Sequence, residues 1–221
     1  MAPPTAPAAK DSIISFLLLR KALGWIAIAM PFALALGAWL FEGIPWADSV
    51  SAYYYTSMRD VFVGTMFAVG VFLFCYRGGN RQDNILTNMA GIAAGAIGLL
   101  PMDADYSKVL VDRHRDLAGP NCYVPHGFLG YHFYAAAIFF AIISYLAIFR
   151  FTQFEQPIIT AAKLARNRVY VTCGVIMVVC FGAMALLKGH SKDASIVIPE
   201  TGAIVAFAIA WLTKGHAILP D

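Results

Sequence analysis

The residues best suited to chemistry lie at the ends of apolar stretches. One run, from Asp48 through Ser51, Tyr53, Tyr54 and Tyr55 to Arg59 and Asp60, packs hydroxyls, charges and aromatics into thirteen positions. A second run holds His126, Tyr131, His132 and Tyr134, and a third places Glu200 directly after Pro199. An imidazole beside a carboxylate is the ordinary equipment for moving a proton, so Asp60 and His132 are the candidate catalytic acid/base pair. Arg59 suits an anionic head group. Ser51, Tyr53, Tyr54, His126 and Glu200 complete a candidate ligand-binding set, because ligand sites are generally aromatic walls around a few convergent polar groups.

Each of these residues also has a plain structural use. Ser57 and Asp60 have the spacing of a capping box, and tyrosines suit a membrane interface. Glu200 after Pro199 fits a first helical turn. The long run from Asp103 to Pro125 carries charges of both signs and reads as a solvated surface that pairs with itself.

Metal chemistry finds no short motif. Ligands from one helix turn sit three or four residues apart, whereas His126 and His132 are six apart and point about 120° away from each other. A metal would need His132 joined by Asp60, Asp103, His190 or Glu200. Neither HExxH nor HxxxH occurs, and with one histidine clearly inside an apolar stretch a pair of haem ligands at matched depth is missing. The metal and cofactor content is therefore open.

Composition says what must position these groups. Of 221 residues, 60% are hydrophobic and 13% charged, with a mean hydropathy of +0.68. An ordinary soluble domain carries roughly twice that charge. The net charge of +3 is too small, and too divided between two sides, to argue for nucleic acid.

Six apolar stretches are long enough, or nearly so, to cross a bilayer: Ala22 to Phe41, Val61 to Tyr76, Ile85 to Met102, His126 to Phe149, Val169 to Leu187 and Pro199 to Thr213. The second and last are short, and Tyr76 and Trp211 are expected to extend them into the interface. The fold class is thus all-α, one six-helix transmembrane domain over residues 11–221. The Ala/Pro-rich residues 1–10 read as a disordered tail without a cleavable signal.

Lys and Arg divide ten to six between alternate sides, and four acids accompany the ten while nine accompany the six. Cytoplasmic loops keep the positive excess. Both termini are therefore expected in the cytoplasm, with a multi-pass chain in the inner membrane. Of four cysteines, Cys122 alone is expected to face an oxidising side, so no disulfide framework is expected.

Helix packing also leaves marks. Gly91 with Gly95, and Ala94 with Gly98, have the spacing that lets membrane helices approach closely, which makes the third stretch the expected central, buried helix. Pro31 is expected to kink the first.

The stretches Asp48 to Gly64, Phe72 to Gly78, Asp83 to Gly91 and His132 to Phe140 resemble an uncharacterised family of bacterial multi-spanning proteins. A more distant likeness is to the CREST hydrolases, which include alkaline ceramidases and progestin/adiponectin-type receptors and combine Ser, Asp and His around a zinc in a seven-helix bundle. That likeness implies the corresponding roles for Ser51, Asp60 and His132. The present chain differs in having six stretches and no paired histidines near its C-terminus.

The expectation from these readings is an outward-facing polar pocket that binds or processes a lipid or small amphiphile. The competing class is a non-catalytic accessory subunit that docks another membrane protein or complex through exposed aromatics. Membrane lipids are the expected partners in either case. A transporter ranks third, since no inverted repeat or paired broken helices are visible.

Overall fold

The computed structural model describes residues 6–44, 46–102, 112, 131–153, 160–191 and 195–219, and everything below refers to these. His126, Asp103, Cys122 and nearly all of the 103–130 segment lie outside the described residues. Every long element is a helix, and there is no strand among the described residues.

The elements are α1 (Ala6–Glu42), a short 3-10 turn (Ser51–Tyr55), α2 (Arg59–Cys75), α3 (Arg81–Leu99), α4 (Tyr131–Tyr145), α5 (Ala161–His190) and α6 (Val197–Lys214). A π-helical turn over Leu146–Arg150 extends α4. Each helix packs on its neighbours in the chain, and α6 returns to pack on α1, so the six helices close into a ring. Four segments are long and apolar enough to cross a membrane: Phe16–Glu42, Tyr131–Arg150, Ala161–Lys188 and Val197–Lys214.

Two sequence expectations change here. α1 begins at Ala6, so part of the segment expected to be disordered is helical. Its Ala-rich composition carries little helical cost. Nor is α3 a central helix. In a closed ring every helix keeps one outward face, and Ile92 and Leu99 of α3 are more than 60% exposed.

The small residues of α3 nevertheless act as expected at one contact. A Cβ added at Gly91 would lie 2.6 Å from the Gly70 carbonyl oxygen, and one at Gly70 would lie 2.8 Å from that of Gly91. The α2 and α3 backbones therefore touch where neither position has a side chain. Gly95 has open space at its own Cβ position, while its backbone nitrogen would lie 3.5 Å from a Cβ added at Gly70.

Aromatics fill the ring at the end opposite the 3-10 turn. Trp211 packs edge-on against Tyr76 and Phe151, with ring centres 5.0 and 5.4 Å away. Tyr76 and Trp211 are both buried rather than interfacial, because the ring draws these side chains inward at the ends of α2 and α6. Helix α1 runs on through Pro31.

Candidate functional site

The site forms where the segment between α1 and α2 folds into the mouth of the ring. This segment is pinned to the start of α6 by the Ile196 amide, which donates to the Asp48 carbonyl at 2.7 Å, and by the Ser195 hydroxyl, which donates to the same oxygen at 3.2 Å. The pinning sets Ser49, Val50 and Ser51 against Glu200, in the first turn of α6.

Glu200 is buried and fully engaged. Its Oε2 accepts from the Ser49 hydroxyl at 2.5 Å and the Val50 amide at 2.8 Å. Its Oε1 accepts from the Ser51 hydroxyl at 2.7 Å and the Ser51 amide at 3.2 Å. A carboxylate offers about four acceptor positions. All are filled from the three consecutive residues Ser49–Ser51, by two backbone amides and two hydroxyls, so Glu200 holds the plug as well as lining the site.

Ser51 continues the chain of contacts. Its Oγ lies 3.0 Å from His132 Nε2, and His132 Nδ1 lies 2.7 Å from the Leu100 carbonyl oxygen. Leu100 caps the C-terminal end of α3, where carbonyls lack helical partners, and the histidine supplies one. A carbonyl can only accept, so Nδ1 carries a proton.

Proton counting then constrains the rest. Ser51 has a single hydroxyl proton but contacts both Glu200 Oε1 and His132 Nε2. Both contacts are hydrogen bonds only when one further proton sits on the carboxyl group or on Nε2. The first arrangement is a neutral acid and a neutral imidazole, and the second is a carboxylate and an imidazolium bridged by serine. They differ by a concerted shift of two protons through Ser51, and neither carries net charge.

Two cavities flank this chain. The larger, about 270 Å³, lies between α4, α5 and α6 at the end of the ring that holds the 3-10 turn, with Ser49, Ser51, His132 and Glu200 on its polar side, Phe133, Phe140, Phe181 and Met184 among its apolar walls, and Lys188 at its edge. The smaller, about 60 Å³, lies inside the ring and is apolar apart from Ser51 and Glu200. Further from the site α5 packs closely on the π-helical turn that extends α4. There a Cβ at Gly174 would come within 2.4 Å of the Ile148 side chain.

Of the residues singled out from sequence, Ser51, His132 and Glu200 are brought together. Asp60 is not. It is exposed in the first turn of α2, lines neither cavity, and makes no bond to His132 among the described residues, whose side-chain partner is Ser51. Arg59 also stays outside the cavities. Its Nη2 donates to the Tyr54 hydroxyl at 2.8 Å, and its guanidinium sits 4.6 Å from that ring's centre.

The three tyrosines are buried as a structural plug instead of lining an entrance. Tyr53 accepts from the Ala47 amide at 3.2 Å, and Tyr55 donates to the Met102 carbonyl. Burial pushes the Tyr53 hydroxyl above its ordinary pKa, partly offset by that amide bond. The Ser57/Asp60 capping box does not form either. The Met58 amide is capped by Thr56 Oγ1 at 3.1 Å, and Ser57 uses its amide to bond Glu42.

Sequence reasoning missed Ser49, which matches Ser51 in its hold on Glu200. The signal was the pair of serines two residues apart ahead of the tyrosines. Cys75, Cys173 and Cys180 are free thiols. No group of three His, Cys, Asp or Glu side chains among the described residues is placed to share a metal ion.

The class defined by this fold and site is an all-helical protein with apolar, membrane-length helices and a buried Glu–Ser–His chain at one end of the ring. No protein-family model matches the chain, and neither the curated proteins nor the solved structures yield a significant match.

Proposed function

We propose that the chain is a six-span inner-membrane protein with both termini in the cytoplasm, whose outward pocket binds or processes a lipid or small amphiphile. The observation that carries this reading is the larger cavity, with a polar floor of Ser49, Ser51, His132 and Glu200 under walls of phenylalanine and methionine. An amphiphile has that same division, and a helix-bundle crevice is a usual place to hold one. Ser51 and His132 touch both each other and the cavity, so a polar head group seated there meets a hydroxyl and an imidazole that exchange a proton.

Six spans rest on length. α2 and α3, of 17 and 19 residues, extend about 26 and 28 Å at 1.5 Å per residue, close to a hydrocarbon core of about 30 Å. Charge supports the orientation. The end away from the cavity carries Lys10, Arg20, Lys21, Arg77, Arg81, Arg150, Lys163, Arg166, Arg168 and Lys214, against Asp11 and Asp83 among the described residues. The cavity end carries Arg59 and Lys188 against Glu42, Asp48, Asp60 and Glu200. By the positive-inside rule, this division supports a cytoplasmic side for the first end.

Docking of another membrane protein through the loop aromatics is the weaker reading, because Tyr53, Tyr54 and Tyr55 are buried in the plug. The test is lipid mass spectrometry on organic extracts of the purified protein. A defined amphiphile should accompany the parent and be lost from Ser51→Ala and His132→Leu variants of unchanged helix content. Equal lipid profiles in all three would remove the pocket from consideration.

A further inference from the structure

The end of the ring opposite the cavity offers a second, unrelated site. Several cations there have protein acceptors: Arg150 closes on Asp83 at 2.5 Å, and Arg166 donates to the Leu219 carbonyl at 3.2 Å. Arg20 and Arg77 keep most of their donors unused.

Arg20 is held in place from two sides. Its Nη1 donates to the Lys214 carbonyl at 3.4 Å, and its guanidinium lies 5.3 Å from the Tyr76 ring centre. Its Nε is buried with no acceptor among the described residues. Arg77 uses Nη1 for the carbonyls of Phe74 and Tyr76 at 3.1 and 3.5 Å. A guanidinium has five N–H donors, so both arginines retain donors and full charge, and neither makes an ion pair with a described carboxylate.

These two side chains share a groove of about 230 Å³ with Phe16 and Leu17. Phe16 of the groove is itself exposed, as is Phe74, whose carbonyl meets Arg77. Two forked cations next to an apolar face match a phosphodiester attached to acyl chains. A zwitterionic head group fits less well, because none of the four lining residues is an acid that could meet its ammonium.

We propose that Arg20 and Arg77 form a binding groove for the phosphate of an anionic phospholipid, with its acyl chains against the exposed Phe16 and Phe74. Cytoplasmic-leaflet anionic lipids attract basic residues by about fivefold in affinity per cation near the surface. The groove adds a fixed position to that general attraction. It stands apart from the amphiphile cavity and does not require it.

The experiment is native mass spectrometry of the full chain in detergent with equal phosphatidylglycerol and phosphatidylcholine. The parent should retain phosphatidylglycerol at least about fivefold over phosphatidylcholine. Arg20→Gln combined with Arg77→Gln should bring the ratio near one, and Arg20→Lys combined with Arg77→Lys should keep a preference. Arg77→Gln alone, at a residue bonded only within its own turn, should lower the ratio even where the double variant fails to fold. Arg81→Gln, at the same end but outside the groove, should leave it unchanged. An equal ratio in the parent, or an equal loss on Arg81→Gln, overturns the site. Displacement of phosphatidylglycerol by millimolar inorganic phosphate would show a free-anion site and overturn the lipid assignment.

Discussion

Ser51 and Glu200 stand 149 residues apart in the chain, yet the serine hydroxyl donates to the glutamate carboxyl at 2.7 Å while its Oγ also lies 3.0 Å from His132 Nε2. One hydroxyl thereby joins the loop after α1 to the starts of α4 and α6. The same atom is a fold contact and the centre of the candidate chemistry, so variants must be chosen to separate the two.

Glu200→Gln should destabilise the protein while leaving its size nearly unchanged. A glutamine amide offers one oxygen where two now accept, so its NH2 group is set in a buried place against either the Val50 amide, which then has no acceptor, or the Ser51 amide, which keeps only Ser49 Oγ at 3.1 Å. Such a group costs about 1–3 kcal/mol. Differential scanning fluorimetry in detergent should show a fall in Tm of several degrees. An unchanged Tm would mean that the plug is held by something other than this carboxylate.

Arg59→Ala and Asp60→Asn should be nearly silent. Both residues are on the exposed start of α2 and outside both cavities, and the partly exposed contact of Arg59 with Tyr54 contributes about 0.5–1 kcal/mol. Ligand retention and Tm should stay at the parent's values. A loss of ligand in Asp60→Asn, with Tm preserved, would return Asp60 to the site.

The α2–α3 crossing makes a sharper steric prediction. Gly91→Val should disrupt assembly, because its Cβ would fall within 2.6 Å of a backbone oxygen that has no rotamer to change. Gly95→Ala should be tolerated, since open space surrounds that position. Size-exclusion profiles and Tm of the two variants decide it, and similar behaviour of both would contradict the packing described.

Topology is checked without reference to any ligand. A reporter fused after Asp221 should be active only in its cytoplasmic form, and one inserted near Ala118 only in its external form. An external C-terminus would reverse the orientation drawn from the charged ends of the ring.

Much of the helical layout was legible because apolar run length and loop charge are local properties. The stretch Val61 to Tyr76 became α2 at Arg59–Cys75, and Pro199 to Thr213 became α6 at Val197–Lys214. Burial of the tyrosines was not legible. Tyr53 looks interfacial until the loop is known to fold back into the ring, and that fold depends on Asp48 meeting Ile196, a contact between distant parts of the chain. For the same reason Asp60 was paired with His132 from shared membrane side alone. The true partner, Ser51, lies nine residues earlier. Gly95 shows the matching limit for packing motifs, since spacing alone does not say which Cβ position meets the neighbouring backbone.

The most direct test compares His132→Leu with the parent for bound amphiphile. Leucine suits an apolar helix and cannot bond Ser51 or Leu100, so the bundle should keep its helix content and elution volume while the amphiphile seen in the parent's organic extract disappears. A His132→Leu protein that retains the parent's amphiphile in full would contradict the pocket as the seat of function.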